Sequence, residues 1–309
     1  MVYRSFDEII KQLEGKEKLS RVVVAAANDD HTLGAVKMAV ERGLAKPILV
    51  GHKDEIKKVC EEIGLKVPDE DIYDEPDDEA AAWKAVDLIH EGKAEVLMKG
   101  KLDTSVYLKA VVNKEHGLRK QDSGTISVFT AHEIPAMGKI YVPVDGGMVN
   151  YPTLEQKRDI IQNTVDAMRS LGWDCPKVGV LACKEKVDPK MPETLEAEEL
   201  KKMNERGEIT GCIVDGPISF DCACDKEIAD FKGYQSPVAG ECDILLAPNI
   251  HAGNIMGKMM SVLYKSRLGG FLVGTTHPVI FSSRGSSSDE KFVSICLADI
   301  SALNMNQEA

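Results

Sequence analysis

Aromatic residues make up only 5% of this 309-residue chain, with two tryptophans among them. That scarcity disfavours a stacking platform for single-stranded nucleic acid or a flat sugar-binding face, since both need rows of exposed rings. No apolar run approaches the roughly 20 residues of a membrane span. Basic charge is short as well: 38 Lys+Arg stand against 50 Asp+Glu, for a net charge of -12. Nucleic-acid and anionic-membrane binders need a basic face, so an anionic ligand here must be held by a few local cations. Residues Met1 to Lys18 carry Arg4, Asp7, Glu8, Lys11, Glu14 and Lys16 with no apolar centre, so no secretory signal is expected. Without export, the eight cysteines read as reduced thiols, and the expected compartment is the cytoplasm. Cys222 and Cys224 form the only close pair, with no second pair or nearby His to complete a metal site.

Several signatures are absent too. There is no G-x-G-x-x-G after a strand, no Walker A loop, no H-E-x-x-H and no G-x-S-x-G. What the chain does have is alternation. Short β-branched runs such as Val22–Ala26, Pro47–Val50 and Glu95–Met98 alternate with amphipathic segments that stop at Gly43, Gly64 and Gly92. The rhythm continues with strands expected at 125–129, 139–144, 177–181, 209–214, 243–246, 271–273 and 279–281. The helices between them are expected at 154–171, 193–205, 225–231, 254–267 and 289–297. Strands separated by helices make parallel βαβ units, and ten strands are many for one layer, so the expected fold is α/β in two domains.

Ligands of parallel sheets sit beyond the carboxyl ends of strands, so the residues after each run are the candidates. After 95–98 come Lys99, Gly100, Lys101, Asp103, Thr104 and Ser105, two ammonium groups and two hydroxyls opening a helix. These suit an anion pocket, and they equally suit a basic turn with a helix cap. After 139–144 comes Asp145-Gly146-Gly147, after 209–214 Asp215-Gly216-Pro217, and after 243–246 Asn249 with Gly253 and Asn254. Each of these also reads as ordinary turn chemistry. The densest group is Ser282-Ser283-Arg284-Gly285-Ser286-Ser287-Ser288-Asp289, before the last helix. Arg284 can grip a phosphate or an oxyanion with two donors, and Asp289 can act as a base. The alternative is a serine loop in which Ser288 caps the helix and Asp289 follows it.

Ser236-Pro237-Val238-Ala239-Gly240, Pro248-Asn249-Ile250-His251-Ala252-Gly253-Asn254 and Ser283-Arg284-Gly285, in this order and spacing, resemble the phosphate acyltransferases. Gly207 to Pro217, Asp145-Gly146-Gly147 and Met98-Lys99-Gly100 resemble the phosphate butyryltransferase branch in particular, and the resemblance runs from about Val22 to Ala298. It implies the reaction acyl-CoA + phosphate ⇌ acyl phosphate + CoA, by direct transfer of butyryl or another short-chain group in a ternary complex. Coenzyme A is then a substrate, and no cofactor or metal is expected. It also implies two α/β domains, similar to isocitrate and isopropylmalate dehydrogenases, around an active-site cleft. The expected boundaries are 1–122 plus 281–309 for the first domain and 123–280 for the second. The family forms homodimers or larger assemblies. Its catalytic residues map onto Ser283, Arg284 and Asp289. The substrate contacts expected are Lys99, Lys101, Thr104, Ser105, Arg119, Asp145, Gly147, Asp215, Asn249, Gly253 and Asn254. Arginines that hold phosphate in the acetyltransferase branch are missing from the matching helix, so Lys99, Lys101 or Arg119 is expected to replace them. The competing readings are a metal-dependent oxidative decarboxylase on the same fold and a non-catalytic acyl-binding subunit.

Overall fold

A computed structural model describes residues 3–16, 18–120, 124–283 and 285–305. In chain order the elements are α1 (Phe6–Ile10), β1 (Arg21–Ala25), α2 (Asp30–Glu41), β2 (Lys46–Gly51), α3 (Lys53–Ile63), β3 (Ile72–Asp74), α4 (Asp78–His90), β4 (Val96–Lys99) and α5 (Thr104–Val111). Next come β5 (Ser127–Ile134), β6 (Lys139–Val144), α6 (Leu154–Ser170), β7 (Lys177–Leu181), α7 (Pro192–Glu205), β8 (Ile213–Ile218), α8 (Phe220–Cys224), α9 (Lys226–Phe231), β9 (Ile244–Leu246) and α10 (Ile250–Val262). The chain ends with β10 (Arg267–Val273), β11 (Val279–Ile280) and α11 (Ser288–Met305). No helix among the described residues is long and apolar enough to cross a membrane.

The chain divides into two compact units. A terminal unit holds Phe6–Asp122 and Gly269–Ala309, and a central unit holds Ser123–Leu268 with Met1–Ser5. The return into the terminal unit therefore falls at 268/269, whereas the sequence reading set it at 280/281. β10 and β11 form an antiparallel pair, Leu272 opposite Val279, and that pairing keeps residues 271–280 together with the last helix.

In the terminal unit the strand order is β3-β2-β1-β4-β11-β10, parallel except for the β10–β11 pair. Val22, Val23 and Val24 are all buried, as expected for a parallel strand covered on both faces. Asp29 and Asp77 start α2 and α4 by accepting the N–H groups of Thr32 and Ala80. α11 is buried along 291–303 and packs against α1 and α2. Its length exceeds the expected 289–297 because apolar residues ring it on all sides, which leaves no polar face to mark its end.

The central unit has the order β5-β6-β9-β7-β8, antiparallel at β5–β6 and parallel elsewhere. Thr153 and Gln156 form a reciprocal capping box that opens α6. β5, expected at 125–129, runs Ser127–Ile134, and two further shifts bear on candidate residues. β8 runs through Gly216 and Pro217, so Asp215 lies inside the strand, and Ser219 is the residue that follows it. α10 begins at Ile250 with Asn249 as its cap, so Gly253 and Asn254 lie within the helix.

Candidate active site

In the terminal unit, pairing brings two candidate loops side by side. β4 pairs with β1 with Ala25 opposite Lys99, and with β11 with Ile280 opposite Met98. All three strands run in one direction, so Lys99 and the 281–283 segment leave adjacent strands at the same carboxyl edge. The Gly100 and Lys101 N–H groups are held by Ala25 O and Ala26 O, both at 2.9 Å. A Cβ at Gly100 would stand 2.2 Å from Ala26 O, so the approach of these two backbones requires glycine there. Lys99 is 2% exposed, and its Nζ donates to Gly100 O at 3.3 Å. Burying an ammonium is costly unless negative charge or hydrogen bonds match it. Lys101, Thr104 and Ser105 are exposed at the start of α5.

Beyond β11, Ser283 is exposed, and its Oγ accepts the Gly285 N–H at 3.4 Å. Ser286 is buried and donates to Glu290 Oε1 at 2.6 Å. Ser287 Oγ accepts the Glu290 N–H at 3.1 Å, so Ser287, not Ser288, caps α11. Ser288 donates to His31 O at 3.4 Å, and Asp289 is half-buried in the first turn. Ser282, the first residue of that group, is buried with no hydrogen-bond partner for its Oγ among the described residues. Arg284 lies outside the described residues.

Arg119 is placed elsewhere. Its backbone bridges Thr275 in the connection that precedes β11, whereas Lys99 and Ser283 stand at the opposite, carboxyl edge. The pairing thus joins Lys99 to the serine loop and leaves the Arg119 backbone apart from both.

In the central unit the candidate polar groups organise loops. Asp145 follows β6; its Oδ1 accepts the Gly147 N–H at 2.9 Å and its Oδ2 that of Val149 at 2.8 Å, with Met148 N–H at 3.3 Å from both. Burial raises the Asp145 pKa above the usual carboxylate value, and these backbone donors pull against that shift. Asn249 Oδ1 accepts the His251 and Ala252 N–H groups at 3.1 and 3.2 Å. Asn254 donates to Gly146 O at 3.0 Å, and a Cβ at Gly253 would stand 2.4 Å from Asp145 O. The loop after β6 is therefore clamped onto the first turn of α10. Gly147 sits against Val128, 3.0 Å from where its Cβ would be. Asp215, buried within β8, pairs with Lys201 at 2.9 Å and accepts from Ser236 Oγ at 2.6 Å, fixing the 236–240 turn. The carboxylates of Asp145 and Asp215 and the side-chain oxygen of Asn249 each accept hydrogen bonds that shape loops of the central unit.

Further along the same edge, Ser219 donates to Glu185 and stands 2.5 Å from Asp221 Oδ1. Lys232 reaches Asp221 at 2.8 Å and Glu185 at 3.2 Å. Lys232, and after it Ser219, hold the Asp221 carboxyl down at about 2. Glu185, Asp221 and Cys222 form the one group of possible metal ligands among the described residues whose donor atoms all lie within 4.8 Å. Lys232 already supplies their countercharge, which makes the group a poor cation site. The network escaped the sequence reading because its members are 47 residues apart. Beside α10, a cavity of about 620 Å³ is walled by Leu181, Met191, Phe220, Met256, Met259 and Tyr264.

The family profile described as phosphate acetyl/butaryl transferase matches residues 5–83 and 77–298. The phosphate butyryltransferase of Clostridium acetobutylicum is 42% identical over 97% of this chain and 99% of its own. The phosphate acetyltransferase of Thermotoga maritima is 40% identical over 96% of this chain and 99% of its own. Among solved structures, a branched-chain phosphotransacylase from Enterococcus faecalis V583 superposes with a TM-score of 0.80 at 29% identity, covering 92% of this chain and 99% of that one. A 4-hydroxythreonine-4-phosphate dehydrogenase from Klebsiella pneumoniae shares the fold alone, at a TM-score of 0.57 and 12% identity over 92% of this chain and 100% of that one.

Proposed function

The chain belongs to the phosphate acetyl/butaryl transferase family and is a phosphate acyltransferase, and from that premise we propose that it moves a short-chain acyl group, butyryl or a close neighbour, between coenzyme A and phosphate. A phosphate oxygen attacks the thioester carbonyl, the tetrahedral intermediate collapses, and the C–S bond breaks to leave acyl phosphate and the CoA thiolate. The proton lost by the attacking hydrogen phosphate passes through Asp289 to that sulfur; in the reverse direction Asp289 takes the thiol proton before attack on the acyl phosphate, and the phosphate released receives it. An unperturbed thiol of this kind has a pKa of about 8.5, so a base is useful at neutral pH. Arg284 and Ser283 stabilise the carbonyl oxygen while it carries negative charge. Transfer is direct, in a ternary complex, and needs positioning and charge screening rather than an enzyme nucleophile.

The observation that carries this reading is the shared carboxyl edge of β4 and β11, where the buried Lys99 adjoins the loop of Ser283 and Asp289. In this reading Lys99, helped by Lys101, Thr104 and Ser105, holds the phosphate. Arg119 has less support than Lys99, because its backbone pairs at the other end of β11. In the central unit Gly147, Gly253 and Asn254 line the substrate through backbone, while Asp145, Asp215 and Asn249 shape the loops that do so.

The test is CoA release from butyryl-CoA with and without phosphate, and the reverse reaction with butyryl and acetyl phosphate. Release that requires phosphate, persists in chelator and gives intersecting double-reciprocal plots supports the reading. Parallel plots would replace the ternary complex with a covalent intermediate. Activity lost to chelator and restored by magnesium would point back to metal-dependent chemistry.

We also propose that the chain works as a homodimer in the cytoplasm. All eight cysteines are free, as a reducing compartment requires. On α10 and just beyond it, Ile255, Met259, Val262, Leu263 and Tyr264 are exposed, an apolar patch of the kind that marks an interface. Light scattering of the protein and of Leu263→Asp checks this: a dimeric parent and a monomeric variant are expected.

A further inference from the structure

The cavity of about 620 Å³ beside α10 lies within the central unit, at the carboxyl edge of its sheet. β7 and β9 run parallel with Val180 opposite Leu246, so Leu181 and Ala247 leave these strands side by side, and both line the cavity. Ligands of parallel sheets sit beyond this edge. Along α10, Ala252, Met256 and Met260 recur every four residues and form one wall. Met260 is buried in the apolar cluster that holds Leu181, and Met256 packs against that cluster. Ala252 adjoins Gly253 and Asn254, whose turn is clamped onto the loop after β6. The wall therefore begins at the turn proposed to line the substrate. Ile255 and Met259, on the outer stripe of α10, also border the cavity and belong to the proposed dimer interface. The inner wall offers little to a polar ligand. Thr194 Oγ1, a buried hydroxyl on it, accepts the Asp188 N–H at 2.9 Å and donates to Met191 O at 2.8 Å, while Glu193 and Tyr264 are exposed. A phosphate or a nucleotide placed there would lose its hydrogen bonds to water without replacement, whereas a hydrocarbon chain loses none.

We propose that this cavity takes the hydrocarbon tail of the acyl group, and that Met256 and Met260 set which chains are transferred; the assignment rests on the acyltransferase function proposed for the chain. A cavity of ~150 Å³ already holds a six-carbon ring. The space beside α10 is about four times that, with room for chains longer than butyryl and for a branch. Unbranched thioether side chains adapt to such differences in shape. Preference should therefore rise from acetyl through butyryl without stopping sharply there. Each methylene carried out of water strengthens binding by roughly 4-fold, so the two that separate acetyl from butyryl should separate their kcat/KM values by about 15-fold.

Rates with phosphate and acetyl-, butyryl-, isovaleryl- and hexanoyl-CoA give the chain-length profile. Met256→Trp fills the cavity and should lower the butyryl-to-acetyl ratio of kcat/KM by at least ~10-fold, the scale of one or two methylenes refused by an apolar pocket. Met256→Ala and Met260→Ala enlarge it and should raise the hexanoyl-to-butyryl ratio. Calorimetry with S-butyl-CoA, a thioether that cannot react, should show weaker binding to Met256→Trp, with a smaller change for S-methyl-CoA. Thermal melts and light scattering identify the variants that are folded and assembled as the parent. Parental ratios in the folded Met256 and Met260 variants would overturn the pocket and leave the acyltransferase function standing. No phosphate-dependent transfer with any of the four esters would overturn that function and the pocket with it. A monomeric Met256→Trp with an unchanged ratio would give the cavity to the partner copy, which also overturns the assignment.

Discussion

In the central unit, Asp145 spends both carboxylate oxygens on the N–H groups of Gly147, Met148 and Val149, and Asn249 spends its own on the cap of α10. In the terminal unit, the loop after β11 leaves Ser283, Gly285 and Ser287 exposed, and Ser286 and Ser287 fasten the start of α11. Both loops follow strands of parallel sheets, and both lead to helices. The difference lies in what faces outward: backbone clamped around buried oxygens in the first, and exposed hydroxyls in the second. Clamped backbone is suited to placing a bound group, and exposed hydroxyls to meeting charge.

That division is tested hardest at Asp289. Asp289→Asn is expected to lower kcat by about 10²–10⁴ in the CoA-to-acyl-CoA direction, the usual range for a general base, and to remove the acidic limb of its pH profile. Because Ser287 holds the cap of α11, the variant should melt close to the parent. A near-parental kcat with the limb retained would return Asp289 to the helix and erase half of the contrast. Next comes Arg284→Ala, expected to cost about 10²–10³ in kcat with little change in either KM, as for loss of one oxyanion donor. Arg284→Lys should recover only part of this, since a point charge does not reproduce a planar two-donor grip. A rise in KM at constant kcat would make Arg284 a binding residue instead.

On the central side the contrast predicts sensitivity to shape rather than to charge. Gly253→Ala puts a methyl 2.4 Å from Asp145 O, and only backbone movement relieves that. Overpacking of this kind costs about 1–3 kcal/mol, and a displaced 145–150 loop should lower kcat as well. Four residues on, Gly257→Ala meets only His132 at 3.6 Å, an ordinary contact. That variant should gain up to ~1 kcal/mol from helix propensity. Thermal melts and rates of the pair decide the point; equal effects would mean the clamp on α10 is unimportant.

The sequence made β6 and β7 legible to the residue, because Gly138 and Asp145 bracket the first apolar run and Pro176 opens the second. β3 was hidden inside an acidic stretch, since a three-residue edge strand with one buried side chain has no apolar run to show. Asp215 was read as following a strand because Gly216-Pro217 looks like a turn, yet the strand continues through both. For the site, the order of motifs pointed to the loops, and strand register supplied what spacing lacked. Lys99 and Arg119 looked interchangeable as cations. Only the pairing of β4 with β11 sets Lys99 beside Ser283, while the Arg119–Thr275 bridge draws Arg119's backbone to the far edge.

The smallest expected effect extends the contrast to carboxylates in the two cores. Asp145 is buried but fully supplied with donors, whereas Asp299, buried in α11, receives the Ser20 N–H at 3.0 Å on Oδ1 only. Among the described residues, Asp299 Oδ2 and Ser20 Oγ have no hydrogen-bond partner. Burial, opposed by the Ser20 N–H bond and reinforced by the nearby Glu95, pushes the Asp299 carboxyl up to about 6. In the unfolded chain it titrates near 3.9, so between about pH 4 and pH 6 the folded state binds the extra proton. Stability attributable to this group is therefore greatest at and below about pH 4, falls as pH rises towards 6, and is level above that. A shift of this size corresponds to on the order of 2 kcal/mol. Asp299→Asn keeps the shape, carries no charge to desolvate, and offers an N–H₂ donor to Ser20 Oγ. The variant should be more stable than the parent at pH 7, and the difference should shrink as the pH approaches 4. Urea unfolding at pH 4.5, 6 and 7.5 measures it. A constant difference across that range would show that Asp299 is ionised in the folded protein, and that the terminal core satisfies its carboxylates as fully as the central loop satisfies Asp145.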